Sequence, residues 1–564
     1  MDIPVYDAIV IGSGMSGGWA AKELTEKNFK TLVIERGPET VHGKDYPHDF
    51  SNPWDLEHRG IMDEKLLERD YFVQRRCFGM NEYNRSHFVN DRLNPYIEEK
   101  PFNWIRGYHT GGRSVMWGRQ SYRLSNLDFE ANKRDGHGTD WPIRYEDLSQ
   151  WYDYVEDFVG VSGSTEHIEH LPDGVFLPPM EMNCAEKAIK QRLEKQYADR
   201  KLIIGRIANL TKPKPHHIEL GRGPCQFRNQ CSRGCSFGAY FSSLTATLPA
   251  AKRTGNLSMA HNSIVKEILY DTETGRASGV RVIDSETLQE REYRARIIFL
   301  CASTIGSAQI LLNSKSTAFP NGLANSSGVV GHYLTDHLMV GGATGVLPGY
   351  EDQYYTGRRA NGIYIPRFVN MGDNNQDYLR GFGYQGAASR SNWGGQKATP
   401  GIGVDLKKKL HDPGPWKFTI IGFGEMLPRY DNCITLDEER RDPYGLPLVK
   451  INVSWSDNES KMRESIISNA VDMLVKSGLE DVKPVEWDTT PGTAIHEMGT
   501  ARMGLDAKTS VLNGFNQCHD VPNLFVTDGA AMASSTCHSP SLTYMAMTAR
   551  AVDYAVRQDK ANLL

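Results

Sequence analysis

The 564-residue chain has no apolar run approaching the ~18–20 residues of a bilayer span, and its mean hydropathy is −0.49. It has no basic excess either. The 64 Lys and Arg stand against 69 Asp and Glu, for a formal charge of −5. This argues against a nucleic-acid binder, which carries a basic patch or stripe. The start, MDIPVYDAIVIG, has no basic stretch ahead of its apolar run and does not read as an export signal. Cysteine is sparse: nine residues, an odd count, do not make a disulfide framework. Repeats and low-complexity tracts are missing. What is present is an ordinary globular balance, 39% hydrophobic and 24% charged, with material for a large core. The length is roughly three to four domains' worth, and 53 Gly with 27 Pro suit many tight loops.

Residues 6–18 read YDAIVIGSGMSGG. Ala8–Ile11 is a short continuous apolar run, the pattern of a buried parallel strand. Gly12, Gly14 and Gly17 follow, then helix formers from Trp19 to Leu24, then a second apolar run, Thr31–Ile34, ending at Glu35. The glycines allow a tight turn, close backbone approach to a pyrophosphate and close helix–strand packing, and Glu35 is placed to bond a ribose. This order of elements predicts dinucleotide binding.

Residues 38–100 are polar and irregular, and 107–119, GYHTGGRSVMWGR, form a second glycine loop. Amphipathic helices are expected over 145–160 and 182–198, and a further helix over 458–478. Strands are expected from 257 onward, in LSMAHNSIVKEILY, SGVRVID and REYRARIIFLCAS, the last running into a helix at TIGSAQILLNS. The end reads as a strand, NLFVTDG, a polar loop and a helix, SLTYMAMTARAVDYAV. Nucleotide-type pieces thus lie at the start, the middle and the end. The expected fold is α/β, with a discontinuous cofactor domain over 1–40, 105–125, 215–335 and 490–564. An inserted sheet-based α+β substrate domain and lid would occupy 41–104, 126–214 and 336–489.

These motifs, with VVGHYLTDH at 329–337, HEMGT at 496–500 and SPSLTYMA at 539–546, resemble the glucose–methanol–choline (GMC) oxidoreductases over nearly the whole chain. The resemblance implies a Rossmann-like FAD-binding domain. It implies FAD contacts at Gly12, Gly14, Ser16, Gly17, Glu35, Arg36, Gly111, Gly112, Ser114, Trp117, Val265, Asp528, Gly529, Ser539 and Pro540. Where family members attach FAD covalently through a histidine before the tryptophan, this chain has Met116, so noncovalent FAD is expected; His109 is a less suitable attachment point. The final helix, opening near Pro540–Ser541, would direct its positive end at the flavin.

Alcohol oxidation by a flavin needs a base for the hydroxyl proton and an acceptor for the hydride, and a neutral imidazole suits the first task. His496 stands in the family's catalytic-histidine segment. The family's second position is a His or Asn; here Ser539 occupies it and His538 precedes it, so His538 is expected to take over, with Ser539 as a weaker hydrogen-bonding substitute the alternative.

Cys225, Cys231 and Cys235 fall within eleven residues. Zinc normally takes four ligands, and thiolates also suit iron–sulfur centres. The spacing resembles the [3Fe-4S] site of a GMC subgroup, sugar dehydrogenases that pair with a cytochrome. A structural metal clip or free thiols are the alternatives. A cluster favours a dehydrogenase over an oxidase. It would imply a small subunit and a cytochrome c or other acceptor as partners, with export alongside a signal-bearing subunit or a cytoplasmic place. Arg228 and Arg233 flank the cysteines. Asn374, Asn375, Gln376, Tyr384, Gln385, Asn392 and Gln396 offer hydrogen bonds to hydroxyls, and Tyr384 and Trp393 offer stacking faces. Together with the resemblance they suggest a sugar or glycoside substrate, oxidised at C3 as in glucoside 3-dehydrogenases. Sugar 1-, 2- or 5-dehydrogenases, a sugar oxidase and a non-catalytic flavin electron-transfer subunit are the other readings.

Overall fold

The computed structural model describes residues 5–353, 362–372, 374–390, 402–487 and 489–564. Strand Val5–Ile11 pairs in parallel with Thr31–Ile34 on one side and with Glu290–Leu300 on the other. Leu257–Ala260 extends the first side in parallel, and Leu524–Val526 lies parallel to Glu290–Leu300. Arg276–Asp284 and Ser263–Asp271 continue the sheet as antiparallel strands. The central strands are apolar on both faces because both faces are covered: Ala8, Val10, Val33, Ile297 and Phe299 are buried in one core and Ile9, Ile11, Leu32, Ile298 and Leu300 in another. The fold is the α/β, Rossmann-like arrangement that the glycine motif predicts.

Helix Met15–Glu26 follows the first strand and packs against the C-terminal helix Ser541–Lys560. Two glycines make this junction possible. Gly12 has φ +97°, and a Cβ there would lie 2.4 Å from the Cys301 carbonyl oxygen. At Gly17 a Cβ would lie 1.9 Å from the Gly12 carbonyl oxygen. The amphipathic helices expected near 145 and 182 run Tyr145–Val159 and Cys184–Gln196.

A second sheet has six strands among the described residues, ordered Glu480–Glu486, Gly341–Leu347, Trp416–Gly424, Phe382–Ser389, Ile363–Ile365 and Ile203–Ile204. The sequence gives little sign of it, because its central strands are rich in glycine. Helix Asp457–Lys476 covers one face. On that face Phe382, Tyr384, Phe418 and Ile420 pack with Met462 and Ile466 in one core. The period-two alternation of a strand sends the intervening residues to the other face, where Gln385, Ala387, Ser389, Thr419, Ile421 and Phe423 wall the cavity described next.

Candidate active site

A cavity of about 800 Å³ lies between the carboxyl ends of the parallel strands and that open face of the second sheet. Ligands of open α/β sheets bind at such strand ends. Gly12, Gly14 and Ser16 wall one end, beside the N-terminus of helix Met15–Glu26, which no side chain caps. Its free N–H groups and dipole favour a phosphate there. Glu35 closes the second strand: Oε2 accepts the Ser13 amide at 3.1 Å and the Ser13 hydroxyl at 2.5 Å, and Oε1 accepts the Gly37 amide at 3.0 Å. Burial raises its carboxyl above the usual range, against these bonds. The Arg36 guanidinium lies 4.6 Å from the Tyr108 ring centre, and Val265 completes this end.

The second glycine loop interlocks with the first: the Gly111 amide donates to Ser13 Oγ at 2.9 Å. Gly112, Ser114, Met116 and Trp117 wall the cavity, whereas Gly17, Gly111 and His109 stand behind the wall. Asp528 and Gly529 line it further on. Asp528 takes the Ser307 hydroxyl at 2.5 Å and the Ala530 amide at 2.9 Å, and burial pushes its carboxyl up to about 6.

His496, Ser539 and Pro540 line the same cavity, as does Gln385. Pro540 precedes helix Ser541–Lys560, again without a side-chain cap, so the helix's positive end also meets the cavity. His496 is held by its backbone: Asp336 Oδ1 accepts its amide at 2.9 Å, and Oδ2 accepts the Gly492 and Ala494 amides at 3.0 and 3.1 Å. The neighbouring Glu497 pairs with Arg113 at 2.8 Å. The His496 ring meets the His337 ring edge to face, Nδ1 to Nδ1 at 2.8 Å. Burial, then the neighbouring His337 and the Arg113 charge, hold its pKa well below 6.5. It is therefore a neutral imidazole at physiological pH, able to take a proton.

His538 is not on the cavity wall. It is buried, with Nδ1 3.6 Å from Asp128 Oδ1 and its ring beside Tyr122 and Tyr364. Burial opposes its charged form, but Cys537 and Asp128 outweigh that and raise its pKa to about 10. Of the two residues proposed for the second position, Ser539 faces the cavity, with Gln385 Nε2 at 3.5 Å from its Oγ.

Tyr384 does not offer a stacking face to a sugar. It is wholly buried on the helix-covered side and its hydroxyl donates to the Ile466 carbonyl at 2.6 Å. Asn374 and Gln376 bond each other and are not cavity residues, nor is Asn375. Asn392, Trp393 and Gln396 lie outside the described residues.

Cys225, Cys231 and Cys235 form no disulfide and line one small cavity with Asn209 and Phe237. Among the described residues no three His, Cys, Asp or Glu side chains are grouped to hold a metal ion. Arg228 pairs with the buried Asp49, whose other oxygen accepts the Ser236 amide at 2.8 Å. Arg233 bonds the Ser51 carbonyl at 2.6 Å and lies over the Tyr83 ring.

Two family models, both described as GMC oxidoreductase, match residues 6–339 and 428–548. The chain is a GMC oxidoreductase. This GMC protein is 28% identical to a 2-methyl-1,2-propanediol dehydrogenase of Mycolicibacterium austroafricanum, over 98% of this chain and 95% of the relative. It is 24% identical to the gluconate 2-dehydrogenase flavoprotein of Pantoea cypripedii, over 97% and 93%. Among solved structures, a formate oxidase of Aspergillus oryzae superposes with a TM-score of 0.63 at 13% identity, over 100% of both chains. Both dehydrogenases and oxidases are thus among its relatives.

FAD is the cofactor this family implies, and the residues fit it. Two uncapped helix N-termini and a buried acid after the second strand all line one large cavity, which suits a dinucleotide carrying a reacting ring.

The sequence alone assigns no role to Asp336, although it lies in the VVGHYLTDH segment that carries part of the family resemblance. Asp336→Ala should leave three amide N–H groups without their acceptor, each costing about 1–3 kcal/mol. Burial first, then the Glu497 charge, push the Asp336 carboxyl up to about 7, from 3.8. Its proton-linked stability is full below the lower value and is lost as pH rises through the higher one. Urea unfolding should show a lower midpoint for the variant, with a larger deficit at pH 5 than at pH 8.

Proposed function

We propose that this GMC enzyme is an FAD-dependent dehydrogenase that oxidises a secondary hydroxyl of a sugar or glycoside, at C3, to a keto product. The observation that carries the reading is that His496 and Ser539 line the same cavity as the first glycine loop. His496 takes the hydroxyl proton as a neutral base. Ser539 and Gln385 hold the hydroxyl in place by hydrogen bonding. Ser389 and Thr419, on the same sheet face, reach other hydroxyls, and Phe423 and Trp487 give apolar surface for a sugar ring. FAD, held without a covalent link beside Met116, supplies the hydride acceptor when bound. The positive end of helix Ser541–Lys560 favours negative charge in this cavity.

A dehydrogenase is preferred over an oxidase because of the cysteine pocket. A polynuclear cluster distributes its thiolates over several irons, so three cysteines around one pocket fit it without converging on a single ion. Arg222 supports a negative centre there. It is buried, no carboxylate among the described residues pairs with it, and its Nε donates to the Gly238 carbonyl of the same loop at 3.1 Å. A [3Fe-4S] cluster held by Cys225, Cys231 and Cys235 would supply one-electron transfer to a small-subunit–cytochrome partner or another acceptor. The exposed Phe50 lies beside Phe237 of this loop and suits a protein partner.

The test is an anaerobic absorption titration of the holoenzyme with methyl glucoside, glucose and gluconate in turn. Bleaching of the flavin by methyl glucoside, whose C1 is blocked, is expected. Bleaching by glucose alone moves the reaction to C1, and bleaching by gluconate alone to C2. No bleaching by any of them favours a non-catalytic flavin subunit. Iron analysis of the same sample tests the cluster, and turnover on oxygen equal to that on artificial acceptors would overturn the dehydrogenase assignment.

A further inference from the structure

We infer that His337 is a positioning residue that fixes the tautomer of His496, so that the His496 nitrogen available to substrate is Nε2 with its lone pair free. This rests on the reading of His496 as the base.

The argument starts from the 2.8 Å approach of the two Nδ1 atoms. Two lone pairs at that distance repel, and two N–H groups clash, so one nitrogen donates and the other accepts. The Nδ1 contact leaves Nε2 as the His496 nitrogen open to substrate, and a base needs a lone pair there, so the one proton of the neutral His496 ring sits on Nδ1 and is donated to His337. His337 is able to accept it. Its ring is 2% exposed, and burial, with the His538 charge adding to it, lowers its pKa to about 4, so it is neutral and carries one N–H. That N–H then lies on Nε2, which is buried and has no hydrogen-bond partner. The opposite arrangement would give the substrate hydroxyl an N–H instead of a base.

The dipeptide Asp336–His337 thus acts twice on one residue. Asp336 holds the main chain of His496 and its loop, and His337 holds the ring. When the substrate proton moves to His496 Nε2, the Nδ1 proton stays bonded to His337, and the ring becomes a cation without rotating.

Two substitutions separate this role from core packing against Phe423, whose ring centre lies 5.9 Å from that of His337. In His337→Asn the amide oxygen can replace Nδ1 as acceptor. In His337→Leu the apolar volume is kept and the acceptor is lost. Flavin reduction at saturating substrate should fall on the order of 10²-fold in the Leu variant, with KM little changed, and the Asn variant should recover most of it. In protein labelled with 15N-histidine, the His496 Nδ1 signal should be of the protonated type in the wild type and in the Asn variant, and lose that character in the Leu variant. A packing role gives the reverse order, Leu tolerated and Asn worse, and overturns the inference. If His496→Ala keeps full flavin reduction, the base assignment itself fails. If His496→Ala abolishes reduction while His337→Leu does not, only the present inference fails.

Discussion

Replacing His496 by alanine lowers the rate of flavin reduction by alcohol by 10²–10⁴-fold, an order of magnitude set by removal of a positioned base, while FAD stays bound. Retention is expected because the nucleotide contacts are spread over Gly12, Gly14, Glu35 and the second glycine loop, none of which the truncation touches. The main-chain bonds to Asp336 use the His496 amide and survive truncation of the ring. The wild-type pH profile should show the same base. Burial, His337 and Arg113 hold His496 well below 6.5. The carboxylates nearby touch its backbone or its neighbour, not its ring: Asp336 accepts the amide, and Glu497 pairs with Arg113. Reduction should therefore stay fast as pH falls from 7 through 6, and decline only in more acid solution. Anaerobic stopped-flow reduction across pH measures both effects. A rate that halves near pH 6.5 would mean that the base is a solvent-exposed histidine elsewhere.

Gly17→Ala has the second large effect. The new Cβ would sit 1.9 Å from the Gly12 carbonyl oxygen, and the contacted atom is backbone, with no side chain to turn aside. Helix Met15–Glu26 must move off the strand it follows. That displaces buried Trp19 and Leu24 and loosens contact with helix Ser541–Lys560. Overpacking of this kind costs at least about 1–3 kcal/mol, and here it falls on the element that forms the phosphate site. The variant should be recovered without FAD, largely insoluble. Gly14→Ala is the control. Its Cβ would meet nothing nearer than the Gly111 carbonyl oxygen at 3.9 Å, so the fold tolerates it. Gly14 does wall the cavity, so this variant should be soluble and bind FAD weakly. Equal behaviour of the two variants, by flavin content and by thermal unfolding, would contradict the packing argument.

The contrast between the two glycines shows what sequence can and cannot supply. Local order was readable: an apolar strand, a glycine turn, a helix and a second strand ending in an acid occur within thirty-odd residues, and each step has a local cause. The long helices were readable too, because a 3.6-residue apolar period persists through Tyr145–Val159 and Asp457–Lys476. The central strands of the second sheet were not. Glycines such as Gly422 and Gly386 look like loop residues in a sequence. In the structure a Cβ on Gly422 would be 2.4 Å from an Ile466 methyl, so that glycine is where a helix lies close on the sheet. The same span misleads over Tyr384, whose polar tip suggests a ligand contact and instead bonds the covering helix. His337 and His496 are 159 positions apart, and nothing in either segment announces that their rings touch. The choice between His538 and Ser539 depends on which way one loop residue faces, which adjacency in sequence cannot decide.

The strand pair Phe382–Ser389 and Trp416–Gly424 separates two kinds of heritable information by parity. Residues at even positions, Phe382, Tyr384, Phe418 and Ile420, determine whether the domain folds. Residues at odd positions, Gln385, Ala387, Ser389, Thr419, Ile421 and Phe423, determine what the cavity will accept. A codon change on the odd side alters shape and polarity toward the substrate without touching the covered face. A lineage can therefore explore new alcohols on this scaffold at little risk to folding, whereas equal exploration at even positions is filtered out by instability. Libraries confined to the odd positions should be far richer in folded, flavin-loaded variants than libraries of the same size drawn from both.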